Sequence, residues 1–136
     1  MSRSYAREVV LKTIFQIGFH EGEEDNLYLD YIKQFELKEA DLKYTKDMII
    51  EILKNKDQID DVIDAYLVNW DIKRLNLIEL AILRLASFEI MNLKDIPPPV
   101  SINEAINFTI KYSDQESIKY INAVLEKIAK FERNLE

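Results

Sequence analysis

Asn76-Leu77-Ile78-Glu79-Leu80-Ala81-Ile82-Leu83-Arg84-Leu85-Ala86-Ser87-Phe88-Glu89-Ile90-Met91 is the stretch on which the fold turns. Asn76 with Glu79 three residues later is a capping-box pattern that opens a helix. From there to about Met91 only Glu79, Arg84 and Glu89 carry charge. A helix apolar all round belongs at the centre of a protein. On its C-terminal side, Lys94–Val100 holds Pro97, Pro98 and Pro99 and cannot continue the helix. Ser101 with Glu104 then forms a second capping box, for a helix ending near Tyr112, and Ser113 with Glu116 a third. The last helix carries Ile118, Ile121, Leu125 and Ile128 on one face, up to about Phe131.

On the N-terminal side, Asp57 is placed to cap a helix bearing Ile59, Val62, Ile63, Tyr66 and Leu67. Before it, Leu42, Met48, Ile49, Ile52 and Leu53 define one helix, and Leu27, Tyr28, Tyr31, Ile32 and Phe35 a shorter one. From Ser4 to about Phe19, Ala6, Val10, Ile14 and Ile17 recur at helical spacing, with Leu11 and Phe15 widening the stripe and Gly18 and Gly22 offering a stop. No alternating strand pattern, internal repeat or low-complexity segment interrupts this series. The expectation is an all-α fold of about seven helices in one domain over residues 1–136.

Composition agrees. At 136 residues the chain is the size of one ordinary domain, with 48% hydrophobic and 32% charged residues and only 2 Gly and 3 Pro. The absence of Cys excludes disulfides, thiolate nucleophiles and zinc-thiolate sites, and suits a reducing compartment. No apolar run approaches signal or membrane-spanning length, so a cytoplasmic protein is expected. The net charge of −7 opposes unaided binding to nucleic acid. Its distribution is uneven: residues 1–20 are net +2, residues 21–64 net −8 and residues 65–136 net −1. Any RNA contact would fall on a restricted face, with help from elsewhere.

Catalytic chemistry finds no foothold. His20 has no second His or any Cys to complete a metal site or a nucleophilic pair, and Asp60, Asp61 and Asp64 fall on the wet side of an amphipathic helix. The two glycines, Gly18 and Gly22, cannot build a phosphate-binding loop. The expectation is no enzyme, no cofactor and no metal. Tyr5 and Tyr120 stand out among the aromatics because each neighbours a basic residue.

Arg74–Leu125 is similar along its length to the NusB family. The segment Ala81-Ile82-Leu83-Arg84-Leu85-Ala86-Ser87-Phe88-Glu89 resembles that family's central helix, followed by Asp95-Ile96-Pro97 and Val100-Ser101-Ile102-Asn103-Glu104-Ala105. Lys119-Tyr120-Ile121-Asn122-Ala123-Val124-Leu125 resembles its final helix, and Ala6-Arg7-Glu8 its N-terminal element. Residues 21–70 match in helical pattern alone. Where the family often carries a run of arginines, Ser2-Arg3-Ser4-Tyr5 supplies one; Ala123 stands at a usual glycine, and Pro98 and Pro99 at a frequent lysine.

The resemblance implies two three-helix bundles packed together and a role in ribosomal-RNA transcription. In that role the protein binds single-stranded boxA RNA together with NusE, a small-subunit ribosomal protein, within the RNA polymerase elongation complex. The RNA-binding residues expected are Arg3, Tyr5, Arg7 and Lys12, with Lys119 and Tyr120 from the final helix; Lys111 and Lys127 stand in reserve. Tyr66, Trp70, Arg74 and Arg84 are expected as partner-binding anchors. Two other readings stay open: a helical scaffold or homodimer without an RNA role, and the RNA-binding appendage of a ribosomal-RNA cytosine methyltransferase. The second is disfavoured by the lack of a catalytic domain.

Overall fold

The computed structural model describes residues 3–17, 24–69 and 71–133. Among them are seven α-helices and no strand: α1 Arg3–Ile17, α2 Glu24–Ile32, α3 Glu39–Lys54, α4 Lys56–Tyr66, α5 Leu77–Asn92, α6 Pro98–Tyr112 and α7 Ile118–Phe131. Short 3-10 helices over Ile72–Arg74 and Gln115–Ser117 precede α5 and α7. The chain separates into two compact units, Met1–Asn55 and Lys56–Glu136.

In the first unit α1 packs on both α2 and α3. Ala6, Val10, Ile14 and Ile17 are buried as their spacing requires, and so are Val9, Leu11 and Thr13. Thr13 tolerates this because its hydroxyl donates to the Val9 carbonyl at 2.7 Å, which satisfies the polar group within the helix. Phe19, where α1 was expected to end, and both glycines lie outside the described residues. On α3, Tyr44, Met48, Ile49 and Ile52 are buried at three- and four-residue spacing. Glu39 and Asp41 in its first turn and Lys54 in its last complement the helix dipole.

In the second unit α5, α6 and α7 pack on one another as a three-helix bundle, and α4 lies against α5 and α7. The central helix is as apolar in its surroundings as in its sequence, with Leu80, Ile82, Leu83, Leu85, Phe88 and Ile90 all buried. Asn76 caps it, its side-chain oxygen accepting from the Ile78 and Glu79 amides at 3.0 and 3.1 Å.

The other expected caps are not formed. Asn55 closes α3 and the chain re-enters helix at Lys56, which leaves no extended position for Asp57; it sits inside the first turn of α4 instead. The proline run opens α6 three residues before Ser101: Pro97 is the N-cap, and Pro98 and Pro99 occupy first-turn positions whose amides need no partner. Ser101 is therefore buried within the helix and donates to Glu89 at 2.7 Å. Ser113 closes α6 rather than opening α7, since a 3-10 turn intervenes.

Candidate nucleic-acid interface

In the first unit the N-terminus of α1 and the loop between α2 and α3 border an open groove of about 710 Å³, lined by Tyr5, Gln34, Phe35, Glu36, Leu37, Lys38 and Asp41. Arg3 projects from the first turn of α1. Its guanidinium lies 4.1 Å from the centroid of the Tyr44 ring and 3.4 Å from an Asp41 carboxylate oxygen, yet its side chain stays 45% exposed. Lys12 places its ammonium 5.6 Å over the Phe35 ring. Two cations of the N-terminal segment, Arg3 and Lys12, thus stand beside aromatic rings, an arrangement suited to a strand that offers both phosphates and bases.

Arg7 does not share this surface. It is only 5% exposed, although Arg3 lies one helical turn away. The expected side-by-side pair fails because α1 is buried nearly all round, so a four-residue step does not guarantee exposure.

The second unit holds a polar cluster that local sequence does not announce. Glu79, 6% exposed, accepts hydrogen bonds from the hydroxyls of Ser113 and Ser117 and, at 2.6 Å, from Tyr120. Burial, then the hydrogen bond to Glu79 and its charge, push the Tyr120 phenol above its ordinary value of 10.0. A buried carboxylate with three hydroxyl donors is well satisfied, and it ties the start of α7 to the start of α5. Lys119 next to it is exposed. Lys111 and Lys127 are exposed as well.

The expected partner anchors divide. Arg84 forms a bidentate pair with Asp60, both bonds at 2.8 Å, with side chains 17% and 25% exposed. Its guanidinium is committed to joining α5 to α4, so the structure gives it a different position from a free interface anchor. Tyr66 is half-buried, donates to Glu132 at 2.5 Å and stacks over Phe131 with centroids 6.3 Å apart. Arg74 is exposed at the end of its 3-10 helix, while Trp70 and His20 lie outside the described residues.

The sequence model of the NusB family matches residues 4–130. The chain belongs to the NusB family. The transcription antitermination protein NusB of Clostridium botulinum (strain Alaska E43 / Type E3) is 38% identical over 132 residues, covering 96% of this chain and 99% of that protein. Among solved NusB structures, that of T. maritima superposes with a TM-score of 0.89 at 30% identity, over 98% of this chain and 94% of that one. NusB in a crystal structure of the antitermination factors NusB and NusE with double-stranded RNA superposes with a TM-score of 0.81 at 25% identity, over 96% of this chain and 98% of that one. No helix among the described residues is long and apolar enough to cross a membrane.

Proposed function

We propose that the chain is a cytoplasmic transcription antitermination adaptor that binds boxA-type single-stranded RNA together with a NusE-type ribosomal protein, as part of the RNA polymerase elongation complex. The reading assigns it no catalytic step, metal or cofactor. What supports it most is the likeness to the NusB of the NusB–NusE–RNA crystal structure, which covers nearly the whole of both chains. Physical chemistry points the same way, because a chain of net charge −7 with one modest basic edge needs a basic partner to hold a polyanion. On this reading Arg3 and Lys12 meet phosphates and Tyr5 stacks on a base in the first unit, while Lys119 and Tyr120 are RNA-contact candidates of the second unit taken by itself. Arg7, being buried, supports the helix that carries Arg3, Tyr5 and Lys12. The basic partner meets the exposed acidic side of α4, Asp57, Asp61 and Asp64, with Tyr66 and Arg74 beside it.

A salt titration of RNA binding, with and without the ribosomal protein, tests this. Arg3→Ala should flatten the plot of log affinity against log salt by about 0.7, the single-strand value for one neutralised phosphate. Tyr5→Ala should lose about 1–3 kcal/mol with little change in slope. Equal RNA affinity with and without the partner, and wild-type slopes in the Arg3 variant, would refute the reading.

A further inference from the structure

The groove beside Tyr5 has a lining that a phosphate-binding surface does not require. Apart from Tyr5, Phe35, Leu37 and the cation of Lys38, it is lined by residues that carry oxygen acceptors: Glu36, Asp41 and Gln34. The Gln34 amide is anchored, since its nitrogen donates to the Tyr31 carbonyl at 3.0 Å, and that leaves its oxygen available as an acceptor. Asp41 is held by Arg3 at 3.4 Å, and Glu36 is exposed on the loop. A volume of about 710 Å³ is within the range of sites that take a small molecule, and the two aromatic rings give a planar group something to stack on.

We propose that this groove is a single-nucleotide subsite that takes an unstacked base with a donor edge, guanine in preference, and rejects uracil; the proposal rests on the RNA-binding reading above. Guanine offers its N1–H and N2 amino hydrogens side by side, a match for one carboxylate, and adenine and cytosine each offer an exocyclic amine. Uracil offers a single N3–H flanked by two carbonyl oxygens, which would face the oxygens of the groove. Unstacked bases read on their Watson–Crick edge and stacked on aromatics are the usual mode of single-strand recognition. A basic peptide side chain is the competing occupant for acidic groups beside aromatics. It is disfavoured because cations already attend this groove: Arg3 over Tyr44, Lys12 over Phe35, and Lys38 in the lining itself. A nucleotide brings the phosphate those cations can use.

The test measures binding of the full chain, in complex with the ribosomal protein, to a short oligouridine strand and to the same strand with one central guanosine. Guanosine should raise affinity about tenfold, within the range of one good bidentate base contact. Gln34→Ala and Glu36→Ala should bring the ratio of the two affinities down to within about twofold, even though loss of the Glu36 charge strengthens both. Both residues are exposed, so the variants should keep the wild-type circular dichroism. Arg3→Ala serves as the control and should weaken both strands alike. If Arg3→Ala weakens both strands but guanosine confers no advantage on the wild type, the subsite is refuted and the RNA reading survives. If neither strand binds in an Arg3-dependent way, the RNA reading and the subsite fail together. A tetra-arginine peptide whose binding is lost in Glu36→Ala, with the guanosine ratio unmoved, would give the groove to a protein and overturn the proposal.

Discussion

Replacing Tyr120 by Phe removes one hydrogen bond from the buried Glu79 cluster and keeps the ring. Ser113 and Ser117 still donate to the Glu79 carboxylate, so no charge is orphaned and the loss is confined to a single bond. A hydrogen bond to a charged acceptor contributes about 1.5–3 kcal/mol, and the half-buried position of Tyr120 places it at the lower end, about 1.5 kcal/mol. That gap should depend on pH in a definite direction. The Tyr120 phenol is raised above 10.0 in the folded protein, so its contribution is complete below the unfolded value and is lost as the pH climbs above it. There the unfolded chain has released a proton that the folded chain retains, and stability falls by up to about 1.4 kcal/mol per pH unit. Urea unfolding of both proteins should show the gap near its full size at about pH 8 and nearly closed one unit above the ordinary tyrosine value. The raised phenols of Tyr31 and Tyr66 titrate in both proteins and cancel in the difference. A gap that stays constant or widens over that range would refute the reasoning.

Leu83→Ala removes a fully buried side chain of the central helix and should cost about 2–5 kcal/mol in urea unfolding; a loss below about 1 kcal/mol would contradict its burial. A double-mutant cycle on Asp60→Ala and Arg84→Ala should give a coupling of about 1–3 kcal/mol, between the values for exposed and buried pairs, and a coupling near zero would demote the bidentate pair to surface decoration.

Periodicity alone determined much of this protein. The apolar positions of α3 and α7 repeat at helical spacing because one face of each must be buried. Helices α1 and α5 carry apolar residues on more than one face because they are enclosed, and both requirements are written locally, residue by residue. The Asn76 cap was legible for the same reason, since donor and acceptor lie two and three residues apart. The resemblance carried by Ala81–Glu89 and Lys119–Leu125 brought the family within reach as well. The caps at Ser101 and Ser113 misled because the same serine-to-glutamate spacing has two uses. A proline run can open a helix earlier, and a serine hydroxyl freed from capping turns to a buried carboxylate. Which carboxylate that is, Glu89 for Ser101 and Glu79 for Ser113, depends on helices brought together from distant parts of the chain. Tertiary packing also decided that Arg7 is buried while Arg3 is exposed, and that Arg84 is spent on Asp60. It set Gln34, Glu36 and Asp41 around one groove with Tyr5. None of these is a property of spacing along the sequence, because each depends on which neighbour occupies the other side of the contact.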